Sequence, residues 1–158
     1  MSDAITDPEN TLILETAHGN VIIECLPDKA PGHVARLKEL AREGFYDGIV
    51  FHRVIDGFMA QTGCPKGTGT GGSDKPDLAA EFNDVSHQRG VCSMARSQMP
   101  DSANSQFFIC FGETTFLDNQ YTAWGQVVEG MEAVDKIVKG EPPASPDKII
   151  SLKVAADV

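Results

Sequence analysis

The sequence predicts a mainly β protein, a closed antiparallel β-barrel with two α-helices capping it. Three observations carry this. Short apolar runs rich in β-branched and aromatic residues recur along the chain, punctuated by Gly, Pro, Asn and Asp. Only two segments space their apolar residues as a helix does. Strands and helices do not alternate as βαβ units, which excludes a doubly wound nucleotide fold and favours a barrel.

The elements follow in order. Residues 1–10, MSDAITDPEN, read as a loose tail, and residues 11–158 as a single domain. Residues 11–16 and 21–26 are strands, and the turn Ala17-His18-Gly19-Asn20 joins them as a hairpin. Pro27 to Pro31 stops the second strand and opens a helix, with Asp28 as its cap and Pro31 in its first turn. Val34, Leu37, Leu40 and Ala41 form that helix's apolar stripe, with Arg36, Lys38, Glu39 and Arg42 mostly opposite. Gly44 ends it. Strands are expected at 49–55 and 58–62, then a Gly- and Thr-rich loop at 64–75. Two more strands, 90–95 and 106–111, flank a polar loop at 96–104. A strand at 123–128 leads into a short helix carrying Met131, Val134, Ile137 and Val138. Pro142, Pro143 and Pro146 break the chain before a last strand at 149–154.

Composition removes several functions. A chain of 158 residues makes one domain and buries a core without metal or disulfides. A net charge of −10 repels phosphate backbones, so nucleic acid is not an expected partner. No apolar run reaches the roughly 18 residues of a membrane span. The acidic start lacks the features of a signal peptide. With unpaired cysteines, that points to the cytoplasm. Cys25, Cys92 and Cys110 sit among apolar neighbours and read as buried thiols. Cys64, between Gly63 and Pro65, reads as exposed in a turn, with a regulatory role left open.

Several motifs lead nowhere. Gly67 to Gly72 matches G-x-G-x-x-G formally, but Ser73-Asp74-Lys75-Pro76 follows where a helix must open. His18, His33, His52 and His87 form no H-E-x-x-H pair, so no metal site is expected. No G-x-S-x-G elbow supports a hydrolase. The informative stretch is 51–72, FHRVIDGFMAQTGCPKGTGTGG. It sets one cation, Arg53, ahead of Phe58, Met59 and Gln61. A second block, SQFFICF at 105–111, adds Gln106, Phe107 and Phe108. Taken singly, Arg53 reads as a surface ion-pair partner and the aromatics as core. Glutamine is rare in cores, yet both blocks set one beside aromatics. Together they describe a groove that grips an apolar substrate and aims one positive charge at it.

These blocks, with SMAR, ANSQFFICF and FLDNQYTAWGQVVEGMEAVDKI, resemble the cyclophilins, the peptidyl-prolyl cis/trans isomerases. The resemblance runs from about Leu12 to the last strand. It implies a closed barrel of eight antiparallel strands with a helix at each end. It implies that Arg53 is the catalytic arginine and that Gln61 holds it and the substrate. Phe58, Met59 and Phe108 would floor a proline pocket, with Leu117 at its edge. Ala95 and Arg96 would pair with substrate backbone, Gln106 would line the neighbouring pocket, and Phe116 and Tyr121 the outer wall. The implied partners are proline-containing peptides and unfolded or folding proteins, met by a monomer without cofactor. Many eukaryotic members have Trp at Phe116 and His at Tyr121. Arg96 stands for a common Asn, Cys64 for a frequent Asp, and the 97–104 loop is short. These choices resemble the bacterial branch, and the missing indole N–H implies only weak cyclosporin binding. Two rival readings stay open: a proline-segment binding module or chaperone without essential turnover, and a barrel around a small ligand.

Overall fold

The computed structural model describes residues 5–158. Strands β1 (Thr11–Thr16) and β2 (Gly19–Cys25) form the expected hairpin, with Thr11 opposite Glu24 and Thr16 opposite Gly19. Helix α1 (Pro31–Arg42) follows, then β3 (Arg53–Ile55), β4 (Met59–Thr62), β5 (Val91–Met94) and β6 (Phe107–Cys110). Strand β7 (Ala123–Glu129), the short helix α2 (Met131–Asp135) and β8 (Ser151–Val154) complete the chain. Of the expected tail, residues 1–4 lie outside the described residues. Pro8–Asn10 forms a 3-10 turn whose Glu9 pairs with Lys38 at 2.6 Å and Arg42 at 2.9 Å.

The eight strands pair in the order β3-β4-β6-β5-β7-β2-β1-β8, and every named pairing is antiparallel. This order has two ends, which corrects the expected closed barrel to a curled, open one. The physical reason lies in the segments that would close it. Residues 49–52 fall outside β3, and Pro142, Pro143 and Pro146 remove donors ahead of β8. What remains are isolated bridges, Val50 with Lys148 and Val54 with Gly140.

The core fills the curl. Leu12, Leu14, Ile23, Phe107, Ile109 and Trp124 from the sheet meet Val34, Leu37 and Leu40 of α1, all buried. The expected stripe of α1 is thus its buried face. Arg36, placed on the polar side from sequence, is buried as well. It donates to Pro76 O at 2.7 Å and Asn104 O at 3.3 Å. The expected cap Asp28 is also corrected: Ala30 is the N-cap and offers no side-chain bond. Glu81 caps the helix from elsewhere in the chain, accepting from Gly32 N–H at 3.0 Å and His33 N–H at 2.8 Å. It meets two of the N–H groups that a helix start leaves without partners. In the second helix, Val134 is buried while Val138 lies past its end and is exposed.

Candidate active site

Period-two alternation splits β4 and β6 into two faces. Ala60, Phe107 and Ile109 point into the main core, while Met59, Phe108 and Cys110 build a second, smaller apolar cluster with Leu117. Ile55, Phe58, Ala95 and Tyr121 pack against that cluster. Register sets the charge beside it. Arg53 on β3 lies opposite Gln61 on β4, and Gln61 lies opposite Phe108 on β6. A cation, an amide and an aromatic ring therefore stand in one row across three strands.

This row borders a cavity of about 110 Å³ lined by Arg53, Phe58, Met59, Gln61, Ala95, Arg96, Phe108, Leu117 and Tyr121. Of the sequence-expected residues, Gln106 and Phe116 stand just outside it. Phe116 is 70% exposed and its ring lies 5.7 Å from that of Phe58. Tyr121 meets Phe108 edge to face at 5.8 Å, and the Arg96 guanidinium lies 4.8 Å above the Tyr121 ring. Arg96 also donates to Gln120 O and Ser97 O, both at 2.9 Å, so its side chain staples the pocket rim. Ala95, beyond the end of β5, gives its N–H to Gln106 O at 3.0 Å.

Gln106 lines a second, larger cavity of about 380 Å³, which shares Gln61, Ala95 and Arg96 with the first. Its amide donates to Gly69 O and Gly71 O, both at 2.9 Å, and accepts from Gln61 Nε2 at 3.0 Å. Gln61, expected to hold Arg53, is thus tied to Gln106 instead. The arginine's bond runs from Nε to Glu141 Oε1 at 3.2 Å. Sequence reasoning missed Glu141, which lies in a Gly-Glu-Pro-Pro break with no periodic pattern to mark it.

It also missed a relay behind the pocket floor. His87 stacks on Phe108 at 6.4 Å, with Nδ1 2.9 Å from Asp118 Oδ1 and Nε2 2.9 Å from Ser93 Oγ. The backbone N–H of His87 helps hold the Asp118 carboxyl below its ordinary range. Ser93 is wholly buried, so the relay presents no nucleophile to a substrate. It secures the 3-10 turn Thr115–Leu117, whose Leu117 edges the pocket.

Cys64 is buried, which corrects its expected exposure. Burial pushes its thiol up, but the N–H groups of Gly71, Thr68, Gly69 and Lys66 outweigh this and bring its pKa down to about 7. The Gly71 N–H lies 3.2 Å from Sγ. Cys25, Cys92 and Cys110 are buried as expected, and burial pushes all three thiols up. Among the described residues, no three or more His, Cys, Asp or Glu groups are placed to hold a metal ion.

Comparison with known proteins gives one family. Residues 11–154 match the model of the cyclophilin type peptidyl-prolyl cis-trans isomerases. The chain belongs to the cyclophilins. A probable peptidyl-prolyl cis-trans isomerase of Brucella abortus is 54% identical over 96% of this chain and 85% of its own length. A peptidyl-prolyl cis-trans isomerase of Synechococcus elongatus is 41% identical over 92% of this chain and 96% of its own. Among solved structures, a cyclophilin from Hirschia baltica superposes with a TM-score of 0.89 at 32% identity. It covers 96% of this chain and 76% of its own. A cyclophilin-type isomerase of Cryptosporidium parvum, determined in the presence of the dipeptide Ala-Pro, gives 0.85 at 27% identity, over 91% and 98%. Cyclophilins are peptidyl-prolyl isomerases, so this chain is an enzyme of that class. Among the described residues, no helix is long and apolar enough to cross a membrane.

Proposed function

We propose that this cyclophilin isomerises Xaa–Pro bonds of peptides and folding proteins at the Arg53 pocket, by stabilising the twisted amide. The observation that carries the reading is the pocket of about 110 Å³: Phe58, Met59, Phe108 and Leu117 wall it, and two cations border it, Arg53 and an Arg96 whose guanidinium is spent on the carbonyls of Gln120 and Ser97. An Xaa–Pro bond prefers trans by only about 0.5–1 kcal/mol, yet it interconverts in tens to hundreds of seconds. Amide resonance sets that barrier at about 18–20 kcal/mol. The chemistry follows from what the barrier is. Rotation breaks no σ bond, so it needs no nucleophile. As the bond twists, resonance is lost and the prolyl nitrogen becomes pyramidal and basic. An Arg53 N–H directed at that nitrogen, or at the carbonyl, gains strength only in the twisted state, as catalysis requires. The apolar walls hold the proline ring while the preceding carbonyl swings. They also disfavour the polar planar amide relative to the twisted one.

In this reading Gln61 and Gln106 hold the glycine loop beside the substrate, and Phe116 and Tyr121 bound the groove outside. Substrate backbone runs past Ala95 and Arg96. The protein works as a single-domain monomer over residues 11–158, without cofactor. Its four unpaired cysteines fit the cytoplasm. Phe116, lacking an indole N–H, gives only weak cyclosporin binding. The test is Arg53→Ala and Arg53→Lys, each with its fold checked by circular dichroism. Losing one such donor lowers kcat/KM about 10²–10³-fold. Lys does not restore it, because a point charge replaces a planar fork. Near-normal turnover in Arg53→Ala refutes the assignment.

A further inference from the structure

We infer that Glu141 is a positioning residue for the isomerase reaction, holding Arg53 so that the free edge of its guanidinium faces the proline pocket. The inference rests on the proposed role of Arg53. Its first support is backbone register. Val54 and Gly140 form an antiparallel bridge, exchanging N–H···O bonds of 2.8 Å in both directions. Arg53 and Glu141 are the next residues outward on each side, so they stand opposite one another. Side chains at such positions share a face and lie close.

The second support is what fixes Gly140 there. Its φ is +148°, and a Cβ on it would sit 2.5 Å from Pro143 Cα. Only glycine fits this approach, so the backbone that delivers Glu141 is tightly specified. The third support is the arrangement of cavities. Arg53 lines both the proline pocket of about 110 Å³ and a separate cavity of about 420 Å³. Glu141 lines only the latter, with His52, Gly67, Thr68 and Pro142. Arg53 therefore stands between the two. Glu141 takes the Nε edge, at 3.2 Å from Oε1. That leaves the Nη groups for the pocket side.

An arginine side chain is otherwise costly to order. Arg53 is 45% exposed and Gln61, its neighbour across the ladder, is bonded to Gln106. A carboxylate on Nε removes much of that freedom before substrate arrives, so less is lost as the twisted amide forms. Glu141 is itself 57% exposed, so the contact is screened and its effect modest.

The test compares kcat and KM for an Ala–Pro peptide in wild type, Glu141→Ala and Glu141→Gln. The same Glu141→Ala change is also made on Arg53→Ala, at enzyme concentrations that keep turnover above the uncatalysed rate. Exposed pairs are worth up to about 1 kcal/mol, so Glu141→Ala should lower kcat about three- to fivefold. KM should stay within about twofold. Glu141→Gln, whose side-chain carbonyl accepts the same N–H, should remain within about twofold of wild type. On Arg53→Ala, removing Glu141 should change nothing further. Several results overturn the inference: Glu141→Ala at or above wild-type rate, Glu141→Gln as slow as Glu141→Ala, or a loss that persists without Arg53. An inactive wild type, or an Arg53→Ala variant with normal turnover, instead sinks the proposed function on which it stands.

Discussion

Gln106→Ala tests how the groove is held together. The Gln106 side chain makes three hydrogen bonds of 2.9 to 3.0 Å: two to the carbonyls of Gly69 and Gly71, one from Gln61. Each contributes about 1 kcal/mol net. Two of the three clamp the glycine loop directly, and the third steadies the amide that does so. Removing the side chain therefore lowers the free energy of opening this loop by about 2–3 kcal/mol. Cys64 reports that opening. It lies beneath the loop, buried, with Sγ accepting the Gly71 N–H at 3.2 Å. Alkylation by iodoacetamide at pH 8 then follows the open fraction, and each 1.4 kcal/mol is tenfold. The variant should label at Cys64 about 30- to 140-fold faster than wild type. Cys25, Cys92 and Cys110, buried with raised pKa values, should stay unlabelled. A rate within about threefold of wild type refutes the argument. The loop would then be held by its other anchor, Asn104 Oδ1, which accepts from Ser73 N–H at 2.8 Å and Ser73 Oγ at 2.6 Å.

Glu81→Ala strips two N–H groups at the start of α1 of their carboxylate, and caps of this kind are worth about 1–2 kcal/mol, more when charged. Urea denaturation should show a loss of about 2–3 kcal/mol, and a loss under about 0.5 would mean water replaces Glu81 freely. Burial lowers the His33 pKa below its ordinary 6.5, and the Glu81 carboxyl beside it is also lowered. Below pH 6.5 the unfolded chain then binds more protons than the folded one, so stability falls as the pH is lowered. Denaturation midpoints from pH 7 to 4 should show that fall, reduced in a His33→Gln variant; an equal slope in both would clear His33. Phe108→Ala removes the pocket floor and a buried ring, costing about 3–5 kcal/mol of stability. The remaining folded protein should raise KM strongly for Ala–Pro peptides, and an unchanged KM would displace Phe108 from the substrate.

Much of this was legible from local pattern. The hairpin β1–β2, the α1 stripe and the two-faced alternation in β4 and β6 all depend on neighbours in sequence. The groove was legible because its cation, amides and aromatics sit in two short blocks that one sheet register brings together. What failed depended on distance. Asp28 looked like the cap because caps are usually local, yet Glu81 does the work across the fold. Barrel closure looked natural from many short strands without βαβ alternation. Whether the two end strands meet depends on the path of the chain between them, and only the Val50–Lys148 and Val54–Gly140 bridges span that gap. Cys64 looked exposed beside Pro65, but the Gly-rich loop folds back over it. Glu141 carries no sequence signal; only the Val54–Gly140 bridge sets it against Arg53.

The central claim is that Arg53 drives rotation about the prolyl bond. The most direct measurement is the cis-to-trans rate of an Ala–Pro test peptide with wild type and Arg53→Ala side by side. A large acceleration by wild type, cut about 10²–10³-fold in a folded Arg53→Ala, is the predicted result. Equal acceleration by both proteins would contradict the account, and so would none by a folded wild type.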